Sequence, residues 1–137
     1  MSFEVSRMEA ESGIIVSADT IEQLFRGAAM GMLNILLDRT GVESRSARVL
    51  SANAESTDSL LAEFLNELLS LILLDGFAVH DVRIGMIEDG FVVADISGQR
   101  DMPPAAIKRN IMGISCRRFE IAGSGKGDCR AELVFVS

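Results

Sequence analysis

Residues 60–76, LLAEFLNELLSLILLDG, are the most apolar stretch of the chain, and their polar exceptions limit what they can fold into. A membrane-spanning helix needs ~20 consecutive apolar residues. Here Glu63, Asn66, Glu67 and Ser70 interrupt the run. Those positions fall at i, i+3, i+4 and i+7, so on a helix they make one narrow polar stripe. The rest, from Leu60 to Leu74, is apolar. A helix apolar over most of its girth is a central core helix, with Phe64, Leu68 and Leu71 or Ile72 expected inward. Thr57 or Asp58 is expected to cap its start, and Gly76 to supply a left-handed residue after its end.

A chain of 137 residues fits one domain, 1–137, large enough to bury a core without staples. The other elements arrange themselves around that helix. Residues 2–17 read as extended, with a bulge or bend at Ser12-Gly13. ADTIEQLFRGAAMGMLNILLDRTG (18–41) reads as a long helix with capping-box spacing at Thr20 and Gln23 and a close at Gly41. Gly27 and Gly31 within it cost about 1 kcal/mol each relative to Ala, which implies close approach of another element. SARVLSANAE (46–55) alternates with period two. FAVHDVRIGMI and FVVADISGQ flank Glu88-Asp89-Gly90, a hairpin signal. Residues 100–109, with Met102-Pro103-Pro104, read as an irregular, mobile loop. NIMGISCRRFEIAG and DCRAELVFVS read as a last hairpin. Its first strand changes apolar phase, which places a bulge near Arg117-Arg118. The order β-α-β-α-β-β-β-β predicts an α+β domain, one mixed or antiparallel sheet with two helices packed on it.

Charge narrows the partners. The net charge is −7, with no polybasic run, so sequence-specific binding of nucleic acid is not expected. The acidity is uneven: residues 100–137 carry 7 Lys/Arg against 4 Asp/Glu. The N-terminus has no signal-peptide core, and Cys116 and Cys129 lack metal-ligand spacing, which together imply reduced thiols, a cytoplasmic location and no membrane. If the last turn centres on Gly125, Cys129 opposes Ile121 and Cys116 opposes Val134, out of register for a disulfide.

No motif carries catalysis. GSGKGD (123–128) lacks the earlier glycine and the following Ser/Thr of a phosphate loop and sits between strands, so it reads as a turn. His80 beside Asp81 has no nucleophile for company. Glu4, Glu9, Glu11 and Asp19 make the first segment acidic, and carboxylates bind a hard cation only where they converge. The residues therefore describe a non-enzymatic domain.

The two helices carry a resemblance. ADTIEQLFRGAAMGMLNILLD resembles the first helix of the archease family, with its G-D-x-x-E-x-x-F-x-x-A-A pattern. LLAEFLNELLSLILLDGFAVHDVRI resembles the family's L-L-x-x-W/F-L-x-E-L-L helix and the strand after it, and CRAELVFVS looks like its closing strand. The resemblance spans nearly the whole chain. It implies an accessory protein that activates or chaperones a GTP- and manganese-dependent tRNA-splicing RNA ligase, promoting guanylylation and turnover. The alternative is a protein-binding or oligomerisation module on the same scaffold with a different partner. The resemblance also implies a metal site, made by an Asp of an N-terminal H-T-A-D-x-G motif, a penultimate Asp and the terminal carboxylate. Here that motif aligns with Met8-Glu9-Ala10-Glu11-Ser12-Gly13, and the penultimate position is Val136. The family's late K-A-V-T-Y-H stretch aligns with Met112 to Arg117 and has lost its Lys, Tyr and His. Glu11 and Ser137 are the donors left for a divalent cation, Ca²⁺ or Mn²⁺, bound weakly or not at all.

Overall fold

The computed structural model describes residues 3–7, 12–121 and 129–137. Among the described residues the chain forms seven strands, two α-helices and one 3₁₀ turn. Strands β1 (Phe3–Arg7) and β2 (Gly13–Ala18) precede helix α1 (Ile21–Leu36), strand β3 (Ser46–Asn53) and helix α2 (Thr57–Leu73). Strands β4 (Ala78–Glu88), β5 (Phe91–Gln99), β6 (Gly113–Ile121) and β7 (Cys129–Val136) follow. The fold is α+β, as expected. The expected single sheet is two, each antiparallel throughout: β1-β2-β7-β6 and β3-β5-β4. The helices join them. Helix α1 touches β1, β2 and β7 of one sheet and β4 of the other, and α2 touches β6 of the first and β3 and β5 of the second.

Helix α2 is the core element. Leu60, Leu61, Phe64, Leu65, Leu68 and Ile72 are almost fully buried, and its polar stripe faces outward around a half-buried Asn66. The Phe64 ring meets Phe25 of α1 with centroids 5.8 Å apart. Ser56, rather than Thr57 or Asp58, caps the helix: its hydroxyl accepts from the Ser59 N–H at 3.4 Å and donates to Asp58 at 2.5 Å. Gly76 is left-handed, with φ +66°. No helix among the described residues is long and apolar enough to cross a membrane.

Helix α1 starts where the capping spacing placed it, with Thr20 Oγ1 accepting from the Gln23 N–H at 3.2 Å. It ends at Leu36, before Gly41, because Leu37 turns extended and bridges Ile107. The Pro-containing loop is thereby tied down. The Asp38 N–H donates to Ala106 at 2.8 Å, the Lys108 N–H donates to Leu36 at 2.7 Å, and a 3₁₀ turn fills Pro104–Ala106. Gly27 and Gly31 have the expected reason to be glycine. A Cβ on Gly27 would lie 2.8 Å from the Phe3 ring, and one on Gly31 would lie 2.7 Å from Ile14. The β1–β2 hairpin lies against that glycine face.

The N-terminal extended segment is thus two paired strands, Phe3 opposite Ala18 through Arg7 opposite Ile14, and not one strand with a bend. The Asp89-Gly90 hairpin forms with both residues at positive φ, 23° and 77°. In the last hairpin the bulge falls at Arg117, between Cys116 and Arg118. Cys129 faces Ile121 as expected, but Cys116 faces Leu133, because the bulge consumes one residue of register. No disulfide joins the two cysteines. The GSGKGD segment lies outside the described residues.

Candidate functional site

One end of the four-stranded sheet gathers three chain segments that are distant in sequence. Gly13 of β2 pairs with Val134 of β7, and the Phe135 N–H donates to the Ser12 carbonyl at 2.8 Å. On the other side of β7, Gly113 pairs with Val136, and the Met112 N–H donates to the Val136 carbonyl at 2.6 Å. The N-terminal segment and the last strand therefore meet at their ends. Ser137 is exposed there. Glu11 precedes Ser12 in sequence and lies outside the described residues.

Helix α2 is locked to this end by one side chain. The Asn66 carboxamide donates to the Ile114 carbonyl at 2.9 Å and accepts from the Ile114 N–H at 3.1 Å. It thus imitates a neighbouring strand along the outer edge of β6. The same Nδ2 donates to the Ala62 carbonyl of its own helix at 2.8 Å. A polar residue in the most apolar helix is expected to face solvent. This one is half-buried, because an edge strand offers it both a donor and an acceptor.

The surface at this end is aliphatic where a metal site needs oxygen. Met112 is 67% exposed and Val136 is 52% exposed. Among the described residues, no group of three or more His, Cys, Asp and Glu side chains is placed to hold a metal ion. Hard cations take six or more oxygens, and of the two expected donors only Ser137 lies among the described residues.

The remaining candidates resolve into structure. His80 is exposed, and the register of β4 shifts beside it, between Val79 and Asp81. Asp81 is no base. It accepts from Arg26 Nη2 at 2.8 Å, while Arg26 Nε donates to the Val82 carbonyl at 3.1 Å and the guanidinium lies 5.8 Å from the Phe3 ring. Arg26 thus pins α1 to β4 and to β1. Glu4 is exposed and Asp19 half-buried, and Glu9 lies outside the described residues.

Glu132 of β7 is a buried carboxylate. It is only 7% exposed, with Arg117 Nη2 at 2.9 Å and Arg118 Nη1 at 3.7 Å. The Arg117 hydrogen bond holds its carboxyl below the ordinary value against the opposing effect of burial, and the charges of Arg118, Arg117 and Arg130 add to the lowering. The bulge sets both arginines on one acid, so much of the positive charge of the C-terminal segment is answered within the fold. Burial also pushes the Cys116 thiol up to about 11, with Asp58 adding to the rise, so little of it is thiolate at neutral pH. A cavity of about 350 Å³ on the outer face of the three-stranded sheet is lined by Ala47, Asp81, Arg83, Asp95, Ile96 and Ser97. It holds no His or Cys, and its Asp81 is engaged by Arg26.

Comparison with known proteins gives this arrangement a context. The solution structure of protein 1598 of Methanobacterium thermoautotrophicum superposes with a TM-score of 0.66, covering 98% of each chain at 20% identity, which speaks to the fold. The archease of Pyrococcus abyssi is 27% identical over 91% of this chain and 91% of its own length. That of Methanosarcina mazei is 28% identical over 96% and 93%. That of Thermococcus gammatolerans is 33% identical, over 55% of this chain and about half of its own length, 53%. These relatives are named as archeases and not as enzymes. The profile of the archease protein family matches residues 3–135, and the chain belongs to that family.

Proposed function

We propose that this chain is an accessory protein that activates an RNA ligase of the GTP-dependent tRNA-splicing kind, promoting guanylylation of the ligase and sustaining its turnover. The observation that supports the reading is the family match across residues 3–135. The partner and the guanylylation step follow from the family resemblance. The test is reconstitution with the RNA ligase of the same host, GTP and Mn²⁺. Guanylylated ligase and product per ligase molecule should both rise when this chain is added. Unchanged single-turnover and multiple-turnover rates would overturn the reading.

Val136 favours keeping a second reading, a scaffold reused for a different protein partner. An exposed valine stands where the family resemblance expects a carboxylate. On either reading Glu11 and Ser137 supply the cation ligands that remain, and we infer binding no tighter than ~10⁻⁴–10⁻³ M, the range of the loosest Ca²⁺ sites. Isothermal titration with Ca²⁺ and Mn²⁺, on the native chain and on Glu11→Ala, checks this. Micromolar binding that survives Glu11→Ala would show that the donors are other residues. Stimulation of the ligase without cation binding would make metal dispensable to the activity, and neither effect would favour the reused scaffold.

A further inference from the structure

The two sheets have four edges, and three of them are blunted. An edge strand presents unpaired backbone groups, and natural proteins shield such rows with shortness, charge, bulges or a cover. Strand β1 is five residues long and carries Glu4 and Arg7. Strand β4 has two register shifts, between Val79 and Asp81 and between Ile84 and Met86. Strand β6 is bulged at Arg117, and the Asn66 carboxamide covers Ile114. Strand β3 is neither short nor shifted in register, and its one charge, Arg48, has a partner in Asp75. Its eight residues, SARVLSAN, contain one charge and pair with β5 from Ser46 to Asn53 without a shift.

The backbone of β3 also points the right way. The Ala54 N–H donates to the Gly90 carbonyl, which continues the β3–β5 register. Antiparallel ladders alternate, so the even-numbered residues of β3 bond β5. Ala47, Val49, Ser51 and Asn53 therefore turn their amides to the open edge. Beside that edge lies a groove of about 250 Å³ between β3 and the end of α2, where Val49, Leu50, Leu71 and Leu74 supply the apolar surface. Leu74 is 82% exposed and Val49 is 71% exposed. Arg48, the single charge of the strand, is matched at home: Asp75 lies 4.0 Å from it, and the Phe77 ring 5.4 Å. Glu67, Ser70 and Asp75 complete the lining of the groove.

We propose that β3 pairs antiparallel with β3 of a second copy of this chain, joining the two three-stranded sheets into one across a two-fold axis near Val49. A two-fold interface must be self-complementary, and this strand is. With Val49 opposite its own copy, Ala47 faces Ser51, Ser46 faces Ala52 and Arg48 faces Leu50. Small residues meet small ones, a valine meets a valine, and no like charges are opposed. The exposed Leu74 of each copy flanks the junction. This interface is independent of any role toward an RNA ligase.

Analytical ultracentrifugation of the full chain, from micromolar to millimolar, tests the proposal. The expected mass rises from 14.8 kDa toward twice that value. Val49→Pro removes a donor that faces only the open edge, a place where strands tolerate proline, and should stay monomeric throughout. Val49→Lys, which sets two cations face to face without touching the backbone, should do the same if the proline variant fails to fold. Val49→Thr should dimerise like the native chain. Amide exchange at Ala47, Val49 and Ser51 should slow as concentration rises. A native chain that stays monomeric to millimolar concentration would overturn the proposal and leave the edge to another occupant. A dimer that persists in a folded Val49→Lys or Val49→Pro variant would place the interface elsewhere and overturn it equally.

Discussion

Replacing Asn66 tests how the core helix is registered against the sheet end. Asn66→Ala deletes the two hydrogen bonds to Ile114, at 2.9 and 3.1 Å, and the bond to Ala62 within the helix. The last contributes least, since a helix carbonyl already has a backbone partner available. Each bond to Ile114 is worth ~0.5–1.5 kcal/mol net. Ile114 itself is 6% exposed, so water replaces the lost partners poorly. The expected loss is about 2 kcal/mol, or roughly 6–8 °C in melting midpoint at ~3–4 °C per kcal/mol for this chain length. Asn66→Asp is the sharper variant. It keeps an acceptor for the Ile114 N–H but sets a carboxylate against two carbonyl oxygens, so at neutral pH it should cost more than Ala. That arrangement favours the protonated acid and raises the folded pKa above the unfolded ~3.9. The folded state then binds the extra proton, so stability relative to Ala is greatest below the unfolded value and is lost as pH rises through the folded one. Urea melts of both variants at acid and neutral pH measure this. A cost for Asn66→Ala under ~0.5 kcal/mol, the range of ordinary surface changes, or an Asp variant indifferent to pH, would refute the reasoning.

Three further outcomes follow from the same geometry. Leu68→Ala should cost about 2–5 kcal/mol in a urea melt, the range for a buried leucine, because Leu68 is fully buried in α2. Cys116 should alkylate about 10-fold more slowly at mildly alkaline pH than a thiol of ordinary pKa 9.0, since a pKa pushed to about 11 lowers the thiolate fraction and the greater nucleophilicity of the more basic thiolate offsets part of that loss; in denaturant both cysteines should titrate as thiols, with no disulfide between them. Glu132→Gln should lower the melting midpoint at neutral pH and converge on the native value in acid. The Glu132 carboxyl is depressed in the fold, so its contribution is present above the unfolded pKa and is lost as pH falls through the folded one.

The sequence was most legible where one local rule decided the outcome. The polar stripe of α2, the Thr20 cap, the Asp89-Gly90 hairpin and the bulge at Arg117 all follow from spacing or from a shift of phase. It was least legible where partners distant in sequence decide. Alternation marks a strand but does not name its neighbour, so two sheets looked like one, and β1 and β2 looked like one bent strand. Helix α1 could have run on to Gly41 by its own pattern; it stops at Leu36 because Leu37 finds Ile107. The capping residue of α2 was ambiguous because Ser56, Thr57 and Asp58 stand in a row, each with a suitable oxygen. The Cys116 register missed by one residue for a simpler reason: the bulge was legible, but each bulge shifts every pair beyond it.

The candidate site shows the same division more sharply. The composition of Glu11, Val136 and Ser137 can be read directly, and with it the loss of a carboxylate. The meeting of their chain segments depends on β2 pairing with β7 across more than a hundred residues, which no local pattern encodes. What binds that end together was equally hidden. Asn66 looked like one polar residue of a solvent stripe, yet it holds α2 to β6. Asp81 looked like a companion of His80, yet it holds Arg26 and so fixes α1 to β4. Both polar groups serve the joints between helices and sheets. The same sheet end presents Met112 and Val136 to solvent, while Arg26, Asp81, Asn66 and Glu132 are engaged within the fold, the first three between a helix and a sheet and the last between β6 and β7.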